Sequence, residues 1–122
     1  MNEYNRPAGP QRSVETLKDI QLEPAVQTLI SATNSGDGDA LLRAFAPDAV
    51  LVDFGRTFRG HAQIAKWDRQ ENTGTQNHLV VKAVDPGPPM RLSLSVSGNG
   101  YNGEGVFEIE LTDGLISHLT IT

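Results

Sequence analysis

The chain has 122 residues, 38% hydrophobic and 20% charged, enough for one domain with a buried core. Ten Lys and Arg against fifteen Asp and Glu give a formal charge of -5, which argues against a nucleic-acid or anionic-membrane surface, since both need a concentrated basic face. Cysteine is absent, which excludes disulfides, thiolate metal sites and a cysteine nucleophile.

The opening "MNEYNRPAGPQRS", with Pro7, Gly9 and Pro10, reads as a flexible arm without the apolar core of a secretory signal. No window approaches the roughly 18 apolar residues of a membrane span, so a cytoplasmic protein is expected. "VETLKDIQL" (14–22) can form a short helix with Val14, Leu17 and Leu22 inward, so that 1–22 is an arm and 23–122 the domain. Glu23-Pro24 then opens a clear helix, proline being favoured in a first turn. Val26, Leu29, Ile30 and Thr33 follow a helical stripe that "NSGDGD" ends. Asp37 or Asp39 can cap a second short helix with Leu41, Leu42 and Phe45 on one face, and Pro47 follows its end. Ala49-Val50-Leu51-Val52 is a buried strand that stops on Asp53. A tight connection through Gly55 leads to "TFRG" and to a third helix at about 61–72, with Ile64, Trp67, Asp68 and Glu71 on related faces.

From there the period changes to two. "HLVVKAV" (78–84), "MRLSLSV" (90–96), "EGVFEIEL" (104–111) and "LISHLTI" (115–121) read as strands separated by the turn-rich "DPGPP", "SGNGYNG" and "TDG". Leu92, Leu94 and Val96 alternate with Arg91, Ser93 and Ser95, the pattern of antiparallel strands with one face on a core. Helices followed by strands predict an α+β domain, with about three helices packed on one face of a curved sheet.

The run "SGDGDALLRAFAPDAVLVDFGRTFRGHAQIAKW" resembles the signature of the nuclear-transport-factor-2-like superfamily, which includes SnoaL-like polyketide cyclases and ketosteroid isomerases. The resemblance rests on Gly36-Asp37, on Phe45-Ala46-Pro47-Asp48-Ala49-Val50, on Arg59-Gly60, on Ile64 with Trp67, and on the closing "TDGLISHLTIT". It covers roughly residues 24–122 and implies a cone-shaped fold with an antiparallel or mixed sheet and a mouth at its wide end. It is specific for the fold and poor for function, because the fold hosts isomerases, dehydratases, cyclases, hydrolases and non-enzymes.

In the isomerase branch the strand after the second helix ends in an Asp that moves a proton beside a carbonyl, and the matching residue is Asp53. The rest of that site is missing. The oxyanion-donating tyrosine falls on Leu29, the supporting tyrosines on Phe45 and Asp68, and the second acid on Phe107. Ketosteroid isomerase activity itself is therefore not expected, since donors to a developing enolate supply the largest stabilising contribution.

The expected ligand is a small apolar molecule held by Leu29, Phe45, Phe58, Ile64, Trp67 and Phe107, with Asp53, Asp68 and His78 as catalytic candidates. Each has a plainer alternative. Asp53 can cap the turn to Gly55 by bonding backbone amides instead of acting as a base. Asp68 can share the cavity or pair with Lys66 or Arg69 in solvent. His78 can face the mouth or the solvent, and Trp67 can be core or ligand platform.

His61, His78 and His118 share no metal-ligand spacing, and there is no serine elbow, phosphate loop or dinucleotide fingerprint, so no metal and no cofactor are expected. Lys82, Arg91, Glu108 and Glu110 with Ser93 and Ser95 make a flat outer sheet face suited to a two-fold homodimer. Three functions stand open: a lyase or isomerase working by proton transfer, a ligand-binding protein without turnover, and a dimerisation module. An epoxide hydrolase would need an Asp-Arg-Asp arrangement that the sequence does not locate.

Overall fold

The computed structural model describes residues 22–122. The expected arm and the suggested helix over 14–22 lie outside the described residues, apart from Leu22, which packs partly against the core.

Helix α1 (Pro24–Ser35) starts with proline in its first turn and buries Val26, Leu29, Ala32 and Thr33. It stops at Gly36, whose left-handed backbone (φ 75°) lets the terminal amides reach the Ala32 and Thr33 carbonyls. Helix α2 (Gly38–Arg43) is capped by Asp37 and not by Asp39: the Asp37 carboxylate accepts from the Ala40 amide at 3.0 Å.

Strand β1 (Phe45–Asp53) begins earlier than the apolar run suggests. Phe45 leaves the second helix, where its spacing had placed it, and pairs with Ile116; the register then shifts before Val50. Pro47 lies inside that irregular stretch, where a residue without an N–H removes no ladder hydrogen bond. "RTFR" is a further strand, β2 (Arg56–Arg59), antiparallel to β1 across the two-residue turn Phe54-Gly55. Helix α3 (Gly60–Glu71) follows and runs into a 3₁₀ turn at Thr73–Thr75.

The remaining strands are β3 (His78–Asp85), β4 (Met90–Ser97), β5 (Gly103–Thr112) and β6 (Leu115–Ile121). They complete one six-stranded sheet in the order β2-β1-β6-β5-β4-β3. The β1–β6 pair is parallel and the others antiparallel, so the sheet is mixed. Its inner face, with Leu51, Leu92, Leu94, Ile109, Ile116 and Leu119 all essentially inaccessible, packs against Val26, Leu29 and Ile64 of the helices. The architecture is the α+β fold expected from the change of period, in the cone form that the resemblance implied. Among the described residues no helix is long and apolar enough to cross a membrane.

Candidate functional site

A hollow of about 400 Å³ opens at the end of the sheet where β1 and β6 finish and the β4–β5 loop turns back. Trp67, Leu79, Val96, Phe107 and Ile121 supply its apolar wall, and Asp53, Arg56, Glu71, Asn72, Asn77 and Glu104 are among the polar residues on it. Apolar walls with a few convergent polar groups are the usual chemistry of small-molecule sites.

Asp53 is the last residue of β1 and points to the inner side of the sheet, two residues beyond fully buried Leu51. Alternation along a strand therefore puts the acid on the core face, and it is only 8% exposed. Its Oδ2 accepts two hydrogen bonds, from Trp67 Nε1 at 3.0 Å and from the Arg56 guanidinium at 2.9 Å. Oδ1 has no hydrogen-bond partner among the described residues. Among the described residues no amide of the Phe54-Gly55 turn donates to the carboxylate, and the Phe54 amide goes to the Ile121 carbonyl at 3.0 Å. Asp53 is thus a wall residue of the hollow and not the cap of its own turn.

Arg56 faces Asp53 across that turn as the first residue of β2. Its two terminal nitrogens also reach both oxygens of Glu71, at 2.5 and 2.6 Å, in the fork geometry that favours Arg–carboxylate pairs. The row Asp53–Arg56–Glu71 is therefore a carboxylate, a guanidinium and a carboxylate in direct contact. The Glu71 hydrogen bonds, with the charges of Glu71 and Asp53, raise the Arg56 guanidinium above its ordinary range against the opposing effect of burial. The same hydrogen bond from Arg56 holds the Glu71 carboxyl below the usual carboxylate range.

Of the nine residues singled out from the sequence, Asp53, Trp67 and Phe107 line the hollow. Leu29, Phe45 and Ile64 are at most 1% exposed and belong to the core behind it. Phe58 is half-buried on β2 opposite Leu51, with the Arg56 guanidinium 5.7 Å from its ring centre.

Asp68 does not share the cavity with Asp53, nor does it pair with Lys66 or Arg69 in solvent. It is 3% exposed and turned into the end of α3, accepting from Asn72 Nδ2, the Thr73 amide and the Thr73 hydroxyl. Asn72 in turn donates to the Thr33 hydroxyl, so this acid ties α3 and its 3₁₀ turn to α1. His78 is exposed at the start of β3, opposite Ser97, because it alternates with buried Leu79, and it is Leu79 that reaches the wall.

Sequence reasoning missed Arg56 and, at the aromatic rim beside Phe54, Tyr101. The usable signal for Arg56 was "DFGR", a two-residue hairpin turn that sets an acid directly opposite an arginine. Among the described residues no group of three or more His, Asp or Glu is arranged to hold a metal ion.

No curated protein matches the sequence at a significant level. Among solved structures, protein SMa1630 of Sinorhizobium meliloti, a proposed polyketide cyclase, is 26% identical with a TM-score of 0.75, over 86% of this chain and 97% of that one. A Δ5-3-ketosteroid isomerase from a Mycobacterium species is similar in fold at 23% identity and a TM-score of 0.68, over 80% of this chain and 88% of its own. A computationally designed 17-OHP binder is similar at 19% identity and a TM-score of 0.70, over 80% of this chain and 86% of its own. The likenesses to the isomerase and the binder, both below 25% identity, carry the fold alone. The model of the SnoaL-like domain family matches residues 26–119, which takes in nearly all of the described helices and sheet, and the chain belongs to that family.

Proposed function

We propose that this SnoaL-like protein holds a small apolar molecule in the hollow beside Asp53 and moves a proton on it, as an isomerase or lyase working without a cofactor. The observation that carries the reading is the Asp53 carboxylate: one oxygen is pinned by Trp67 and Arg56, and the other, on an apolar wall, has no hydrogen-bond partner among the described residues. A base must be held still and still have an oxygen to offer, and this arrangement provides both. Asp53 takes a proton from a carbon next to a carbonyl, and Arg56, on the same wall, offsets the charge that develops on the carbonyl oxygen. Return of the proton at another carbon completes an isomerisation; departure of a leaving group completes an elimination. Arg56 thereby takes the assisting role that the sequence had suggested for Asp68 or His78.

The row Asp53–Arg56–Glu71 has the outline that ring-opening hydration of an epoxide requires. Such a reaction needs one acid of the row to carry a proton for the departing oxygen. Glu71, held ionised by Arg56, is not that acid, whereas proton abstraction asks for no protonated member of the row.

The outer sheet face supports a homodimer: Arg91 and Glu108 pair across β4 and β5 at 2.8 Å, beside the small, flat surface of Ser93 and Ala83. The test of catalysis is hydrogen–deuterium exchange into cyclic ketones such as 2-decalone in D2O, followed by mass spectrometry. Asp53→Asn should slow exchange by about a hundredfold or more while binding persists. Exchange that survives the substitution excludes Asp53 as the base. Binding without exchange in the wild type leaves a ligand-binding protein of the same fold.

A further inference from the structure

Two aromatic side chains stand at the mouth of the hollow, and neither has been given a task. Phe54 is 62% exposed at the tip of the β1–β2 turn, and Tyr101 is 53% exposed in the β4–β5 loop. Their ring centres lie 6.5 Å apart with the planes inclined by 53°, and both residues line the hollow. Turns from separate parts of the chain thus bring ring to ring above an apolar floor that includes Trp67 and Phe107.

Phe54 is held there against its local preference. Its φ is 49° and that of Gly55 is 85°, the two positive angles of a tight hairpin turn. Such a turn favours Asn, Asp or Gly at its first central position, and a bulky aromatic is an outlier there. Strained residues of this kind cluster at ligand clamps and active sites. Tyr101 is anchored from the other side: its hydroxyl donates to the Glu104 carbonyl at 2.6 Å, which fixes the far end of the ring.

We propose that Phe54 and Tyr101 are paired jaws that give the site its preference for flat, ring-bearing apolar ligands over puckered or chain-like ones. The proposal rests on the reading of the hollow as a ligand site and adds the class of ligand and the residues that select it. A flat ring inside the hollow meets π-surface from the jaws and the floor together. Aromatic rings in contact add attraction beyond the area they bury, whereas a saturated skeleton of the same outline gains only the burial.

The experiment compares 2-naphthol with 2-decalol, one skeleton in flat and puckered form, by titration calorimetry. Wild type, Phe54→Ala, Tyr101→Ala and the double variant are measured. The naphthol-to-decalol affinity ratio should fall by about tenfold from wild type to the double variant, decalol losing only the burial that both ligands share. A ratio that survives the double substitution, or equal losses for both ligands, overturns the jaws and leaves the hollow as a ligand site. Absence of binding by both compounds in the wild type overturns the jaws and the ligand-site reading together. Both side chains are largely exposed, so the variants keep the core, and circular dichroism verifies their fold.

Discussion

Trp67 Nε1 donates to Asp53 Oδ2 at 3.0 Å, which ties the third turn of α3 to the last residue of β1. Both groups are buried, so the bond joins a helix and a strand at the point where their packing gives way to the hollow. Trp67→Phe keeps most of the ring and deletes this donor. The variant should lose about 1.5 kcal/mol of stability, read from the shift in urea midpoint at constant slope.

Glu71 supplies a pH-dependent share of stability. Its carboxyl is lowered by the Arg56 hydrogen bond from an ordinary value of 4.5. A carboxyl lowered on folding contributes stability that is fully present above its unfolded pKa and is lost as pH falls through the folded one. The advantage of wild type over Glu71→Gln should therefore be constant near neutrality and disappear on acidification below about 4.5, as urea unfolding from neutral to acid pH would reveal. The pair is largely open to solvent, so added salt should shrink the advantage as well.

Substitution of Asp68 should cost stability and leave ligand binding alone. Asp68→Ala leaves Asn72 Nδ2, the Thr73 amide and the Thr73 hydroxyl without their acceptor in a buried setting. A loss of about 3 kcal/mol is expected by chemical denaturation. Ligand affinity at temperatures where the variant remains folded should match the wild type.

Phe54→Asn should raise stability while weakening ring binding. Asparagine tolerates the positive φ of the turn, and little burial is lost from a side chain already 62% exposed. A gain of about 0.5–1 kcal/mol in urea unfolding, with weaker 2-naphthol binding, is the expected pair of results.

The outer sheet face has its own test. Ser93 lies between Ala83 on β3 and Val106 on β5, and a long cation placed there would stand in the way of the proposed second copy. Light scattering after size exclusion should give a dimer for wild type and a monomer for Ser93→Arg. The monomeric variant should keep its thermal transition and its ligand affinity.

Much of the architecture could be read from periodicity. The strands after residue 78 alternate, with one irregularity in β3 and one between β5 and β6, because one face of each meets a core, and α1 shows its stripe for the same reason. Strand β2 was not legible: four residues with no buried member carry no alternation to detect. Phe45 misled in the opposite direction, since its spacing from Leu41 suits a helix while its backbone is taken by Ile116 far along the chain.

At the site, Asp53 could be named because strand polarity sends it inward after Leu51. Asp68 shares a helix face with Ile64, but helical spacing does not reveal that the following turn wraps back to take the carboxylate. His78 failed by one residue of register, which on a strand is the difference between wall and solvent. Arg56 was passed over because a cross-turn ion pair is visible only once the turn is known to be a hairpin.

The parallel placement of β6 between β1 and β5 sets an order on the assembly of the molecule. β3, β4 and β5 are neighbours in sequence and in space, and so are β1 and β2, yet the two groups touch edge to edge only through β6. Closing that seam requires a long stretch of chain to surrender its freedom before the pairing of Leu51 with Leu119 rewards it, the situation that slows folding in sheets rich in distant pairings. Ile121, beside Asp53 in the register, also forms part of the wall of the hollow. The acid therefore acquires part of its apolar surroundings in the same step that joins the two halves, so a chain without that seam has an incomplete wall beside Asp53.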